Sequence, residues 1–319
     1  MYKNFFGLRS NPFSVNPDPR FLFLTQHAKE ALACLTFGIQ CRKGFIVLTG
    51  EVGTGKTTLL NKMQVWLQQK NMKTAFIFNP RLEVEQFLEF MMNDFGIPGA
   101  SSTSKSQLLM RLNGWLLERY RAGETAVLIV DEAQNLSLEM LEEIRLLTNL
   151  ETSTEKLLQI VLAGQPELDA KLQQPELRQL KQRVTLRSRT YSLTQSETRD
   201  YVNQRLHIAG STGPAIFTPE AIEAVHLYSN GIPRVINLIC EHALITAFAE
   251  QQHQVGPEII NAVAEDFELT RRFNAAPTSV ISEEQPAELL GALNAMEKLT
   301  RRLRDLETAM AEKKGAPAQ

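Results

Sequence analysis

The segment Gly50-Glu-Val-Gly53-Thr-Gly55-Lys56-Thr57 restricts the fold of this 319-residue chain more than any other. It follows the apolar run Gly44-Phe-Ile-Val-Leu48 and leads into a segment of helical character, the context of a strand, a phosphate-wrapping loop and a helix. Glycines let such a loop curl until backbone N–H groups and the helix N-terminus face an anion. The expected nucleotide-binding residues are Gly50, Glu51, Val52, Gly53, Thr54, Gly55, Lys56, Thr57 and Thr58. Lys56 is expected to reach the β- and γ-phosphates of ATP, and the Thr57 hydroxyl to ligate Mg²⁺.

Further apolar runs, Thr74–Phe78, Ala126–Val130 and Gln159–Leu162, alternate with longer helical stretches, the pattern of a parallel sheet covered by helices. The third run delivers Asp131 and Glu132 to a buried strand end, where two carboxylates are costly unless they face an ion and a reacting water. An acidic pair there also serves as a helix cap, but beside a phosphate loop it predicts a metal-holding Asp131 and a water-activating Glu132. Gln165, at the next strand end, reads either as a polar sensor of the γ-phosphate or as a turn residue. Asn79 reads either as a hydrogen-bond partner for Glu132 or as the ordinary residue before Pro80. Arg178, Lys181, Arg183, Arg187 and Arg189 occur with no acid between them, either a solvated basic face or the source of an arginine given across a subunit interface. Arg183 is the first candidate for that arginine and Arg178 the second.

Composition narrows the rest. A content of 43% hydrophobic residues suits a chain that buries a core, and no apolar run reaches the 18 residues or so that a membrane span needs. The start lacks the layout of a signal peptide, so a soluble cytoplasmic protein is expected. Three cysteines without a C-x-x-C pair read as buried thiols, and five scattered histidines do not read as a zinc site. A net charge of −2 gives no global signal for nucleic-acid binding, although the basic cluster keeps a DNA-binding switch as the alternative function.

The predicted organisation is an aromatic and proline-rich strap with a following helix (1–42), an α/β core (43–190) and a helical lid (191–273). A linker (274–288) and an amphipathic helix (289–314) complete it. Lid helices start at the capping box Thr194-Gln-Ser-Glu197, at Pro219, at Pro233 and at Pro257. Arg234 occupies a first helical turn, where the dipole disfavours a cation, so an anionic partner such as a γ-phosphate is expected. Met296, Leu299, Leu303, Leu306 and Met310 follow the spacing of a short coiled-coil seam, which fits a partner-binding tail and a helix packed on its own domain equally.

Asn4-Phe-Phe-Gly-Leu8, Asn11-Pro-Phe13, Pro17-Asp-Pro19, the 50–57 loop, Asp131-Glu-Ala-Gln134, Leu162-Ala-Gly-Gln-Pro-Glu-Leu168 and Gly231-Ile-Pro-Arg234 occur in that order. In this the chain resembles the general secretion pathway protein A (ExeA-like) family of AAA+ ATPases over about residues 1 to 272. The resemblance implies a P-loop α/β core with a helical lid, ATP hydrolysis with Mg²⁺ in a ring or other homo-oligomer, and Arg234 as a second sensor. It also implies service to secretion, pilus or exopolysaccharide export, with an envelope-assembly partner docking on the C-terminal helix. Secretion members continue into a membrane span and a peptidoglycan-binding domain, neither of which is expected in this sequence.

Overall fold

The computed structural model describes residues 2–14, 18–78, 82–98 and 104–269, all within one compact unit, Met1–Arg272. The expected linker, the 289–314 helix and Asn79 lie outside the described residues. Five parallel strands, β1 (Phe45–Gly50), β2 (Lys73–Ile77), β3 (Ala126–Val130), β4 (Leu158–Gly164) and β5 (Leu186–Thr190), form one sheet in the order β2-β3-β4-β1-β5. Twelve α-helices occur among the described residues. The first, α1 (Tyr2–Phe5), packs on the lid; in and around the core are α2 (Gln26–Gln40), α3 (Lys56–Gln69), α4 (Val84–Asp94), α5 (Lys105–Arg121), α6 (Leu138–Leu147), α7 (Pro166–Leu172) and α8 (Arg178–Arg183). Then come α9 (Gln195–Ile208), α10 (Pro219–Ser229), α11 (Pro233–Ala249) and α12 (Pro257–Asp266).

Strand side chains alternate between two cores, as the pleat requires. Phe45 and Val47 of β1, Leu128 and Val130 of β3, and Ile160 and Leu162 of β4 pack with Phe87, Leu112, Leu141 and Leu168. Ile46, Leu48, Val127, Ile129 and Val161 face the other way, onto Ala31, Leu35 and Ile39 of α2 and Leu60, Met63 and Leu67 of α3. With both faces covered, β3 and β4 are wholly buried and read as unbroken apolar runs. Gln159, the polar exception in β4, accepts from the Gly44 N–H at 2.8 Å and donates to the Lys156 carbonyl at 2.9 Å.

No apolar run announces the fifth strand. Leu-Arg-Ser-Arg-Thr carries charges on its exposed positions, because β5 is an edge strand with one wet face. Cys41 was expected to pack and is exposed instead, since it falls at the C-cap of α2, past the buried stripe.

The strap does more than lie on a core: it completes the lid's. Leu8 and Phe13 belong to the same buried cluster as Tyr201, Val202, Val225, Ile236 and Ile260. Phe13, fully buried, meets the Phe217 ring edge-on at 5.9 Å. The Tyr2 hydroxyl and the Asn11 amide both donate to Glu241 Oε1 at 2.9 Å, and the Arg9 N–H donates to the Ala209 carbonyl at 2.7 Å. The chain therefore begins in the lid and crosses to the core through 18–25, where α2 packs beside β5. The lid helices start as the sequence reading expects, with the Thr194–Glu197 capping box formed and prolines in the first turns of α10, α11 and α12.

Truncating Phe13 to alanine opens a cavity between strap and lid, and should cost about 3–5 kcal/mol. The check is a lower midpoint in chemical denaturation followed by lid-region hydrogen exchange, with exchange across β3 and β4 changed less.

Candidate nucleotide site

The loop after β1 turns through positive φ angles at Gly53 (80°) and Gly55 (94°), which L side chains avoid. Gly50 is needed for a different reason. A Cβ there would sit 2.0 Å from Thr190 Oγ1, where β5 ends against the loop. Thr190 Oγ1 is in turn 2.7 Å from Thr54 Oγ1, and Thr54 Oγ1 donates to the Glu51 carbonyl at 2.7 Å.

Lys56, the first residue of α3, is buried, and its ammonium donates to the carbonyls of Gly50 (2.7 Å) and Glu51 (2.9 Å). Among the described residues no carboxylate pairs with it. Burial pulls it below the usual lysine range, against the raising influence of Glu132, Asp131, Glu51 and Glu167. A buried cation satisfied only by its own loop, at a helix N-terminus and beside a cavity of ≈ 470 Å³, fits a polyphosphate ligand. Val52, Gly53, Thr54, Gly55, Lys56, Thr57, Thr58, Glu132 and Arg234 all line that cavity.

Thr57 Oγ1 donates to Asp131 Oδ2 at 2.9 Å, joining the first turn of α3 to the end of β3. Asp131 is 3% exposed, and burial raises its carboxyl above the usual range, opposed by the Thr57 hydroxyl and the Glu132 N–H. A hydroxyl and one carboxylate suit Mg²⁺, which takes few protein oxygens and completes its shell with phosphate and water. Among the described residues there is no cluster of three or more His, Cys, Asp or Glu that would hold a metal by itself.

Glu132 has φ 53° and ψ 36°, a left-handed conformation that costs a non-glycine residue about 1–3 kcal/mol. Two amides hold its carboxylate by one oxygen: Gln134 Nε2 donates to Oε2 at 2.6 Å and Gln165 Nε2 at 3.2 Å. Gln134 Oε1 also accepts the Gln165 N–H at 3.0 Å, so one amide bridges the ends of β3 and β4. Gly164 makes room for it, since a Cβ there would lie 2.9 Å from Gln134 Oε1. Gln165 thus touches Glu132, as an N-cap position of α7, and Gln134 is a site residue to which the sequence reading gave no role.

Arg234 stands over the loop. Its N–H donates to the Gly53 carbonyl at 3.3 Å, and a Cβ on Gly53 would come within 2.8 Å of Arg234 Cβ. Arg183 is elsewhere. It ends α8, three residues before β5 pairs with the start of β1, at the sheet end opposite the loop, and donates to Asn149 Oδ1 at 3.1 Å. Its guanidinium is exposed and serves nothing at its own chain's loop; Arg178, at the start of α8, is exposed too. Arg187 and Arg189 do meet an acid, Asp169 of α7, at 2.9 and 3.0 Å. Asp169 also accepts from Thr49 Oγ1 at 2.9 Å and so ties the edge strand to β1.

Residues 40–172 match the AAA domain family. Over 257 residues the chain is 46% identical to general secretion pathway protein A of Aeromonas hydrophila. The chain is an ExeA-like AAA-domain relative of that protein. The match takes in 80% of this chain and 46% of the relative, so the chain spans less than half of the relative's length. Two solved structures share the fold at low identity. One is Cdc6p of Pyrobaculum aerophilum, with TM-score 0.64 at 17% identity, covering 82% of this chain and 72% of that one. The other is the Aeropyrum pernix ORC2 protein in ADPNP-ADP complexes, with TM-score 0.62 at 15% identity, covering 80% of this chain and 71% of that one. The parallel sheet and lid of this ExeA-like chain are thus those of P-loop AAA proteins.

Gly53→Ala drives a methyl group between loop and lid at a positive φ. The variant should lose stability by about 1–3 kcal/mol, and the rise in melting temperature on adding ATP·Mg²⁺ to the wild type should shrink or vanish in it.

Proposed function

We propose that this chain hydrolyses ATP with Mg²⁺ as an oligomer and that turnover drives or times the assembly of an envelope export system. The hydrogen bond between Thr57 and Asp131, with Glu132 next in sequence and aimed into the cavity, carries the enzymatic part. It brings the hydroxyl and carboxylate that suit a phosphate-bound Mg²⁺ to within 2.9 Å of each other. When bound, Mg²⁺ supplies neutralising charge for the phosphates.

Lys56, now on two loop carbonyls, would turn to the phosphate oxygens of a bound nucleotide, and Thr57 and Asp131 would hold Mg²⁺. Glu132 accepts a proton from the attacking water, while Gln134 and Gln165 fix which of its oxygens is free to do so. Arg234, packed on Gly53, relates lid position to the state of the γ-phosphate. Arg183 is the proposed donor to a neighbouring subunit, a reading supported by its exposure and its distance from its own loop. ATP as substrate puts the site in the cytoplasm.

The export role rests on the 46% identity to general secretion pathway protein A, and the helix expected over 289–314 is the proposed docking element for a partner. A DNA-binding role draws less support. Arg187 and Arg189 are paired with Asp169, Arg183 with Asn149, and Lys181 with Gln173, so much of the basic cluster is engaged within the chain.

ATP turnover and particle size by light scattering, with and without duplex DNA, test the proposal. Glu132→Gln should bind ATP yet lose about 100-fold or more in turnover. Gln134→Leu should lower kcat about tenfold with little change in KM, because it acts on the base and not on binding. A wild type that binds ATP without turnover would refute the hydrolase reading. Salt-sensitive stimulation by DNA would move the function to a DNA switch.

A further inference from the structure

The cavity has a second end, and Arg205 lies behind it. Asp18, Phe21, Leu22 and Phe23 of the strap line the cavity beyond the phosphate loop, together with Tyr201, Arg205 and Asn237 of the lid. Arg205, on α9, is 7% exposed. Its Nη1 donates to the Pro12 carbonyl at 2.9 Å and to Asn237 Oδ1 at 3.0 Å. Its guanidinium lies 4.9 Å from the centre of the Phe21 ring and 5.1 Å from that of Tyr201. Among the described residues no carboxylate forms an ion pair with it, and Nε finds no acceptor.

A packing role alone does not call for such a group. Asp18 of the strap attracts this cation from a distance without pairing with it. A buried cation lacking a direct ion pair is costly, and an apolar side chain of similar volume fills the space more cheaply. What the guanidinium adds is a planar fork that joins three segments: the strap backbone, the aromatic ring of Phe21 and helix α11. Asn237 sits three residues after Arg234, on the same face of α11. One helix therefore carries both the arginine over the phosphate loop and the acceptor that holds Arg205.

We propose that Arg205 is the positioning residue for the nucleoside end of the ligand, holding the 18–23 strap against the lid so that Phe21 and Leu22 form the wall for the base and ribose. This rests on the ATP reading above and deepens it. Arg205 does not touch the phosphates. Its loss weakens recognition of the nucleoside and leaves the loop, Lys56 and Arg234 able to bind a bare polyphosphate.

The measurement is the affinity of the full chain for ATP and for inorganic tripolyphosphate, by calorimetry and by competition, in wild type, Arg205→Lys and Phe21→Leu. The lysine keeps the charge and loses the fork; the leucine removes the ring beneath it from the strap side, and keeps the question answerable if Arg205→Lys fails to fold. The expected result is that the ratio of ATP to tripolyphosphate affinity falls about tenfold in each variant, with tripolyphosphate affinity changed less than about twofold. An unchanged ratio, or equal losses for both ligands as from a lid that no longer seats Arg234, overturns the proposal. A wild type that binds neither ligand sinks the underlying ATP reading and this inference together.

Discussion

The hydrogen bond from Thr57 to Asp131 is where the rest of the structure meets. It links the N-terminus of α3 to the end of β3, two strands away from β1 in the sheet, with β4 between them. Parallel pairing makes this possible, because every strand ends on the same side and the loops that follow converge there. β4 ends in Gly164, so no side chain of its own blocks the crossing, and the amide of Gln134 takes that place. The strain of Glu132 belongs to the same arrangement: a left-handed residue directs its carboxylate toward the cavity and two glutamine amides hold it there.

Charge is arranged around that point with little redundancy. Lys56 is neutralised by no carboxylate among the described residues and depends on carbonyls of its own loop, an arrangement that an incoming anion improves. Asp131 is buried beside it, yet the two do not pair directly; the Thr57 hydroxyl stands between carboxylate and loop. The basic edge at β5 is held by Asp169, which keeps Arg187 and Arg189 along the sheet edge.

Much of this was legible in the sequence, and the exceptions have physical reasons. The loop, Asp131 and Glu132 could be read because their chemistry demands particular residue types at a fixed distance from apolar strands. Gln165 could be located but not its contact, since a strand end gives position and not direction. β5 escaped because an edge strand with arginines on its wet face has no apolar run to announce it. Gln134 lies two residues from Glu132, but its second contact, to Gln165, spans 31 residues, and Asp169 meets partners 18 or more residues away; contacts at such separations leave no local pattern. Arg205 looked like any arginine of an amphipathic helix; its burial follows from a strap that returns from the other end of the sequence.

That return has a consequence for how the protein is made. The lid's core draws Leu8 and Phe13 from the start of the chain and the remainder from Leu193 to Val263. Residues 2–14 leave the ribosome long before their binding partners in 193–263, so the α/β core can close while they are still waiting. Pairing of such distant segments is slow and carries a high entropic cost. The nucleotide cavity, walled by strap, loop and lid together, is therefore finished only when synthesis has passed the lid, and a growing chain can own a folded sheet before it owns a complete binding site.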